Sequence, residues 1–150
     1  MIKKALFVIA SLSVAFMATA AALYVGNAAP VVPEISAAEA NGAGAPFVVK
    51  LHARWCPVCM LTKDLWSDIA TTYAGRVRLV VFDFTNEATT SASRAEARRL
   101  GLESFFAENE GWTGTIAVLD GRTREATALI HGSRDRREYD EAIDKALRTF

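Results

Sequence analysis

From residue 46 onward the chain alternates between short apolar runs and longer stretches in which apolar residues return every three or four positions. Phe47-Val48-Val49-Lys50-Leu51-His52 is short, β-rich and apolar enough for a central strand. After Cys59, the four-residue spacing of Leu61, Leu65, Ile69 and Tyr73, with Trp66 beside them, predicts one amphipathic helix ending by Gly75. Val77 to Phe84 reads as a strand apolar on both faces, as expected in a sheet covered by helices. Asn86 to Ser91 reads as polar loop, and a second helix runs from about Ser91 to Leu100, with Gly101 at its C′ position. In Leu102 to Gly114, Phe105 and Phe106 look like core anchors, while Glu103, Glu108 and Glu110 keep the segment half solvated. Thr115 to Asp120 and Arg124 to His131 form a hairpin around an Asp120-Gly121 turn. Asp135 with Glu138 is a capping-box pattern, and Tyr139, Ile143, Ala146 and Leu147 give a terminal helix its apolar face. The order βαβα then ββα, without internal repeat, predicts an α/β domain with a central mixed sheet of about four strands flanked by helices.

The start of the chain has a different pattern. Met1-Ile2-Lys3-Lys4 is basic, and residues 5–25 follow with no charge. That is a run of 21 residues. It has the form of an export signal, with small residues around Ala18-Thr19-Ala20 or Asn27-Ala28-Ala29 for cleavage. It is also long enough, at about 1.5 Å per residue, to cross a hydrocarbon layer of about 30 Å as a membrane anchor. The expected organisation is residues 1–29 as signal peptide or N-terminal membrane anchor, 30–45 as an Ala/Pro/Gly-rich linker, and 46–150 as the folded domain. Either reading exports the domain to the periplasm or cell envelope, with a possible membrane tether through residues 5–25. The 150-residue chain carries 17 basic and 17 acidic side chains. That balance gives no reason to expect nucleic acid as a partner, and the exported part is expected to be a monomeric, mildly acidic domain.

The candidate chemistry lies in Trp55-Cys56-Pro57-Val58-Cys59, which holds the only two cysteines. Two residues between them bring the sulfurs onto one helical turn, where they can share a disulfide or grip a metal. Between a strand and a helix, Cys56 falls at the N-cap and Pro57 at the first helical position, where a missing N–H costs nothing. Free amides and the helix dipole then favour the Cys56 thiolate, making it the candidate nucleophile, with Cys59 behind it as the resolving thiol. A purely structural disulfide closing so small a loop has little stabilising purpose. Zinc would need two more ligands, and His52 and His131 have the wrong spacing. An oxidising compartment allows the disulfide to form and persist.

With the strand leading into this motif, the order of elements, the Asp120-Gly121 hairpin and Gly132 before the last helix, the chain from about Pro46 to Phe150 resembles the thioredoxin superfamily. Within it the chain looks most like the exported thioredoxin-like proteins of bacterial envelopes. The resemblance implies an enzyme, a thiol–disulfide oxidoreductase needing no cofactor beyond the redox-active Cys56–Cys59 pair and no metal. Its partners would be protein thiols and disulfides or a membrane redox partner. Trp55 would pack beside the cysteines, and Pro57 and Val58 would tune their potential. The alternatives are a soft-metal, copper-binding or copper-delivery module, with His52 or Met60 as extra ligands, and a binding domain without catalysis.

Three departures from the family pattern stand out. Where the family carries a cis-proline that binds substrate, this chain has Thr113-Gly114-Thr115. Gly114 and Thr115 are therefore site residues by position, and a trans bond with a looser wall beside the cysteines is expected. Where thioredoxin carries a buried acid, this chain has Lys50. Its charge would favour a nearby thiolate and make the pair a better oxidant, unless its head reaches water or pairs with Asp83. His52 should share its face, and Arg54 adds positive charge nearby. Lastly, Gly101 to Gly114 is long, so Phe105, Phe106 and Trp112 either cover the active-site surface or pack into the core.

Overall fold

The computed structural model describes residues 44–149. The expected signal or anchor and the linker up to residue 43 lie outside the described residues. Strand β1 (Phe47–His52) leads into a short helix α1 (Pro57–Leu61), which is followed by α2 (Lys63–Thr72). Next come β2 (Arg78–Asp83), α3 (Glu87–Leu100) and α4 (Glu103–Glu108). The hairpin β3 (Thr115–Leu119) and β4 (Ala126–His131) precedes the last helix, α5 (Arg136–Arg148). The four strands form one sheet in the order β2-β1-β3-β4. β1 runs parallel to β2 and antiparallel to β3, and β4 is antiparallel to β3. This is the mixed sheet flanked by helices expected from the sequence. Among the described residues no helix is long and apolar enough to cross a membrane.

Period-two alternation divides the sheet into two faces. On one, Phe47, Val49 and Leu51 of β1 pack with Phe82 of β2 and with Leu100, Phe105 and Phe106 of α3 and α4. On the other, Val48 of β1 and Ile116 and Val118 of β3 pack with Ile69 of α2 and with Tyr139 and Ile143 of α5. β1 is central and covered on both sides, which is why its residues are apolar in succession. Lys50 and His52 interrupt that run, and both fall on the α2/α5 face.

Several boundaries differ from expectation. The helix after Cys59 is not continuous: Thr62 takes φ −104° and ψ 14°, separating α1 from α2. Its hydroxyl donates to the Val58 carbonyl at 2.8 Å. A side chain that competes for a helical carbonyl in this way loosens the local turn. The four-residue stripe is consequently cut at its start, and Leu61 is 66% exposed while Ile69 and Tyr73 are buried. Residues 87–91 are helix rather than loop. Asn86 caps α3, its Oδ1 accepting from the Thr89 amide at 3.0 Å while the Thr89 hydroxyl accepts from the Asn86 amide at 3.1 Å. This reciprocal cap satisfies two amides that a helix start would otherwise leave open.

The segment 102–114 contains α4, and Phe105 and Phe106 are core residues. The Phe106 ring centroid lies 5.2 Å from that of Phe82, edge on, and 5.3 Å from that of Phe84. Trp112, by contrast, is exposed. The hairpin loop is wider than a two-residue turn. The Asp120 carboxylate accepts from the amides of Arg122 and Thr123 at 2.7 and 2.9 Å, and its amide donates to the Glu125 carbonyl, so β4 begins at Ala126. Gly121 is required there for space: a Cβ would fall 2.0 Å from the Gly44 carbonyl oxygen.

Candidate active site

The site sits where β1 ends. Ala53 accepts the Cys56 amide at 3.2 Å, turning the chain from strand to helix, and Pro57 opens α1. Cys56 is the N-cap with extended backbone (φ −82°, ψ 114°), and its Sγ accepts the Cys59 amide at 3.2 Å. Both cysteines are free and buried, in a small cluster with Ala53 against which Val58 packs.

The two sulfurs differ in environment. Burial alone would raise the Cys56 thiol, but hydrogen bonds from Cys59, from the Thr113 hydroxyl and from the amides of Cys59 and Val58 outweigh it and hold the thiol below its ordinary range. Cys59 moves the opposite way. Burial raises it first, its bond to and the charge of Cys56 raise it further, and the Ala53 backbone and Lys50 only partly oppose this. Its Sγ–H donates to the Leu51 carbonyl at 3.8 Å, the same oxygen that accepts the Gly114 amide at 2.9 Å. One sulfur is set up as a thiolate nucleophile and the other as a protonated reserve.

The loop carrying Gly114 forms the wall beside Cys56. Gly114 has φ +84°, and a Cβ built on it would lie 2.7 Å from Val58 Cγ1 and 3.6 Å from Cys56 Sγ. The Gly132 amide donates to the Gly114 carbonyl at 3.1 Å, and a Cβ on Gly132 would come within 3.5 Å of the same Val58 methyl. Val58 therefore occupies the space that a side chain at 114 would need. The wall is tight, not looser as expected, because glycine lets the backbone approach closely. All described peptide bonds are trans. Thr115 is buried, with its hydroxyl 3.0 Å from His131 Nδ1.

The other sequence-derived candidates are distributed around this core. Trp55 is 60% exposed, neither buried among the core residues nor a member of the cysteine cluster, and its indole N–H donates to the Thr85 carbonyl at 3.1 Å. The Arg54 amide donates to the Thr85 hydroxyl, so residues 54 and 55 are both tied to the loop after β2. Lys50 is buried and makes no ion pair with Asp83 or any other described residue. Its Nζ lies over the Trp66 ring, 5.5 Å from the centroid. Burial lowers its pKa, and the two cysteine sulfurs oppose that shift. His52 is half-buried with Nδ1 unpartnered, and its pKa is lowered by burial and by Lys50, against the pull of Asp83. Met60 is exposed, and among the described residues no group of three or more His, Cys, Asp or Glu is gathered to hold a metal.

Sequence reading missed two contributors, Thr113 and the Leu51 carbonyl. The signal for Thr113 was its place immediately before Gly114, a hydroxyl at the edge of the wall. A main-chain carbonyl leaves no sequence signal.

No family model and no curated protein matches the chain. Among solved structures it is similar to Trxlp from Edwardsiella tarda, with 21% identity over 69% of this chain and 86% of that one, at a TM-score of 0.44. It is also similar to thioredoxin-2 of the malaria parasite, with 18% identity over 70% of this chain and 86% of that one, at a TM-score of 0.48. A third is dsbF of MTB, with 16% identity over 69% of this chain and 81% of that one, at a TM-score of 0.46. Identities and TM-scores in this range do not assign an activity, and the reading below rests on the geometry of Cys56 and Cys59.

Proposed function

We propose that the chain is a thiol–disulfide oxidoreductase of the cell envelope, exchanging disulfides with protein partners through Cys56 and Cys59. The observation that carries this reading is the asymmetry of the pair: an N-cap sulfur accepting the Cys59 amide at 3.2 Å, and a buried sulfur behind it bonded to the Leu51 carbonyl. In the reducing direction the Cys56 thiolate attacks a partner disulfide, displacing one partner sulfur as a thiolate and forming a mixed disulfide. Cys59 then loses its proton and attacks Cys56, which releases the second partner thiolate and leaves the Cys56–Cys59 disulfide. The oxidising direction is the reverse. Hydrogen bonds that stabilise the Cys56 thiolate stabilise the reduced form and favour the oxidant role. Gly114 and Thr113 line the approach to Cys56, and Val58 fixes that wall. Export rests on the basic start and apolar run of residues 1–25, and a membrane redox partner is the kind of protein that would reset the pair.

The test is the reduction potential of the pair, equilibrated in glutathione or dithiothreitol buffers and read by thiol alkylation. A reversible two-electron couple is expected, at roughly −120 to −200 mV for an oxidant and nearer about −270 mV for a reductant. C59S should accumulate mixed disulfides through Cys56, and C56S should accumulate none. Absence of a reversible couple would overturn the reading.

A further inference from the structure

The two edges of the sheet are not alike. β2 forms one edge and β4 the other. β2 begins with Arg78 and ends with Asp83, charges that discourage a further strand from pairing there. β4, Ala126-Thr127-Ala128-Leu129-Ile130-His131, has no Lys, Arg, Asp, Glu or Pro, and its one register shift lies near its start, opposite Val118 and Leu119 of β3. The outer side of an edge strand carries backbone N–H and C=O groups with no ladder partner, and a strand without charge, proline or a central bulge leaves them open to pairing. Leu129, in the middle of β4, is 54% exposed. It lies opposite Ala117 in register and so shares the α3/α4 face, whose apolar core includes no residue of β4. On the other face a groove of about 540 Å³ runs between β4 and α5, and its α5 wall is Glu138, Glu141, Ala142, Lys145 and Ala146. In chain order the charges read acid, acid, base, and none of the three makes an ion pair among the described residues. The arginines of the first turn do not alter this order, since Arg136 is engaged with Asp140 and Arg137 with Asp135.

We propose that β4 pairs with β4 of a second copy of this chain, antiparallel about a two-fold axis, so that the four strands of each copy join in one continuous sheet. An axis through the middle of β4, normal to the sheet, keeps α5 of both copies on the same face and reverses its direction. The acidic half of one α5, Glu138 and Glu141, then lies toward Lys145 of the other copy, and Leu129 meets its own counterpart on the opposite face. A copy paired in parallel would set acid beside acid. The charge order of the groove is complementary to its own reverse, which is what a second copy presents.

Such a dimer leaves the cysteines free. β4 is parallel to β1, since each is antiparallel to β3, and both strands therefore end on the side of Cys56. Antiparallel pairing of β4 sets the two Cys56–Cys59 pairs at opposite ends of the joined sheet, each still open to a partner. The proposal thus does not rest on the oxidoreductase reading. It departs from the monomer expected from the sequence, because an unguarded edge becomes visible only when the strand order is known.

The experiment is sedimentation equilibrium of the full chain in mild detergent, from about 1 µM to about 500 µM. A six-residue strand pair with one helix contact is a small interface, so a dimer with a micromolar dissociation constant is expected. L129K, a charge placed at the centre of the edge, should weaken the dimer about tenfold or more. K145E makes the α5 wall wholly acidic and should weaken it about tenfold, since two-fold symmetry counts each altered pair twice. E138K/E141K/K145E reverses every charge, keeps the wall complementary to its own reverse, and should restore the wild-type constant. A wild type that stays monomeric at the highest concentration overturns the proposal. So does a dimer of equal strength in the wild type, L129K and K145E, which would place the contact elsewhere, residues 5–25 included. Should the variants fail to fold, amide hydrogen exchange of the wild type decides: β4 amides are expected to be better protected at high than at low concentration, and equal protection overturns the proposal. The reduction potential of L129K should equal that of the wild type. Absence of a reversible couple would remove the oxidoreductase reading and leave the dimer standing.

Discussion

The two faces of the sheet solve opposite problems with the same strands. On the α3/α4 face β1 packs among apolar side chains, and the Phe106 ring meets those of Phe82 and Phe84. On the α2/α5 face the same strand sends Lys50 and His52 beneath the helices, and Tyr73 and Tyr139 bring hydroxyls that must be bonded. The Tyr73 hydroxyl donates to Asp140, and Tyr139 donates to the Ser133 carbonyl, so both are satisfied. The His52 ring, at the end of the strand that delivers the cysteines, is not, since its Nδ1 is buried without a partner. Both faces carry an apolar core, and the buried polar groups of β1 fall on the second.

That contrast can be broken from either side. The largest effect is expected from F106A, which removes a ring from the apolar face and should lower the unfolding free energy by about 3–5 kcal/mol. Urea unfolding measures this, and the reduction potential of the cysteine pair should stay where it was; a shifted potential would mean the faces are not separable. G114A comes next. It forces a side chain into φ +84° and against Val58, and should destabilise by about 1–3 kcal/mol. The double variant V58A/G114A should recover part of that loss, giving a coupling energy in a double-mutant cycle, because only the steric component is removed.

N86A removes the cap of α3 and is expected to cost about 1 kcal/mol in thermal or urea unfolding, again without change at the cysteines. The smallest effect is a slope. Burial lowers the folded-state pKa of Lys50, so between that value and the ordinary lysine range near 10.4 the unfolded chain binds more protons, and wild-type stability rises with pH. K50M lacks this contribution, so its stability relative to wild type is greatest at low pH and declines as pH climbs. Parallel stability curves would show that Lys50 is not desolvated.

Much of this frame was legible in the sequence, for identifiable reasons. The apolar run from Phe47, the hairpin around Asp120 and the capped terminal helix are local patterns, and Cys56 and Pro57 announce a helix start by residue type. Thr62 was not legible, because a threonine inside a helical stripe ends a turn only when its hydroxyl finds a carbonyl. Asn86 was hidden by polarity that cap and loop share. The least legible features depend on distant residues. That the Lys50 head lies over a ring depends on Trp66 of α2, and that the wall at Gly114 is tight depends on Val58, more than fifty residues earlier.

The packing of Val58 between two glycines also constrains how this sequence can vary over evolutionary time. Positions 58, 114 and 132 form one steric unit, since a Cβ at either glycine would meet the same Val58 methyl. A homologue with a side chain at 114 should therefore carry a smaller or differently turned residue at 58. Substitutions at these positions should appear together, and relatives of this chain are better sought by that correlated triplet than by the cysteine spacing alone.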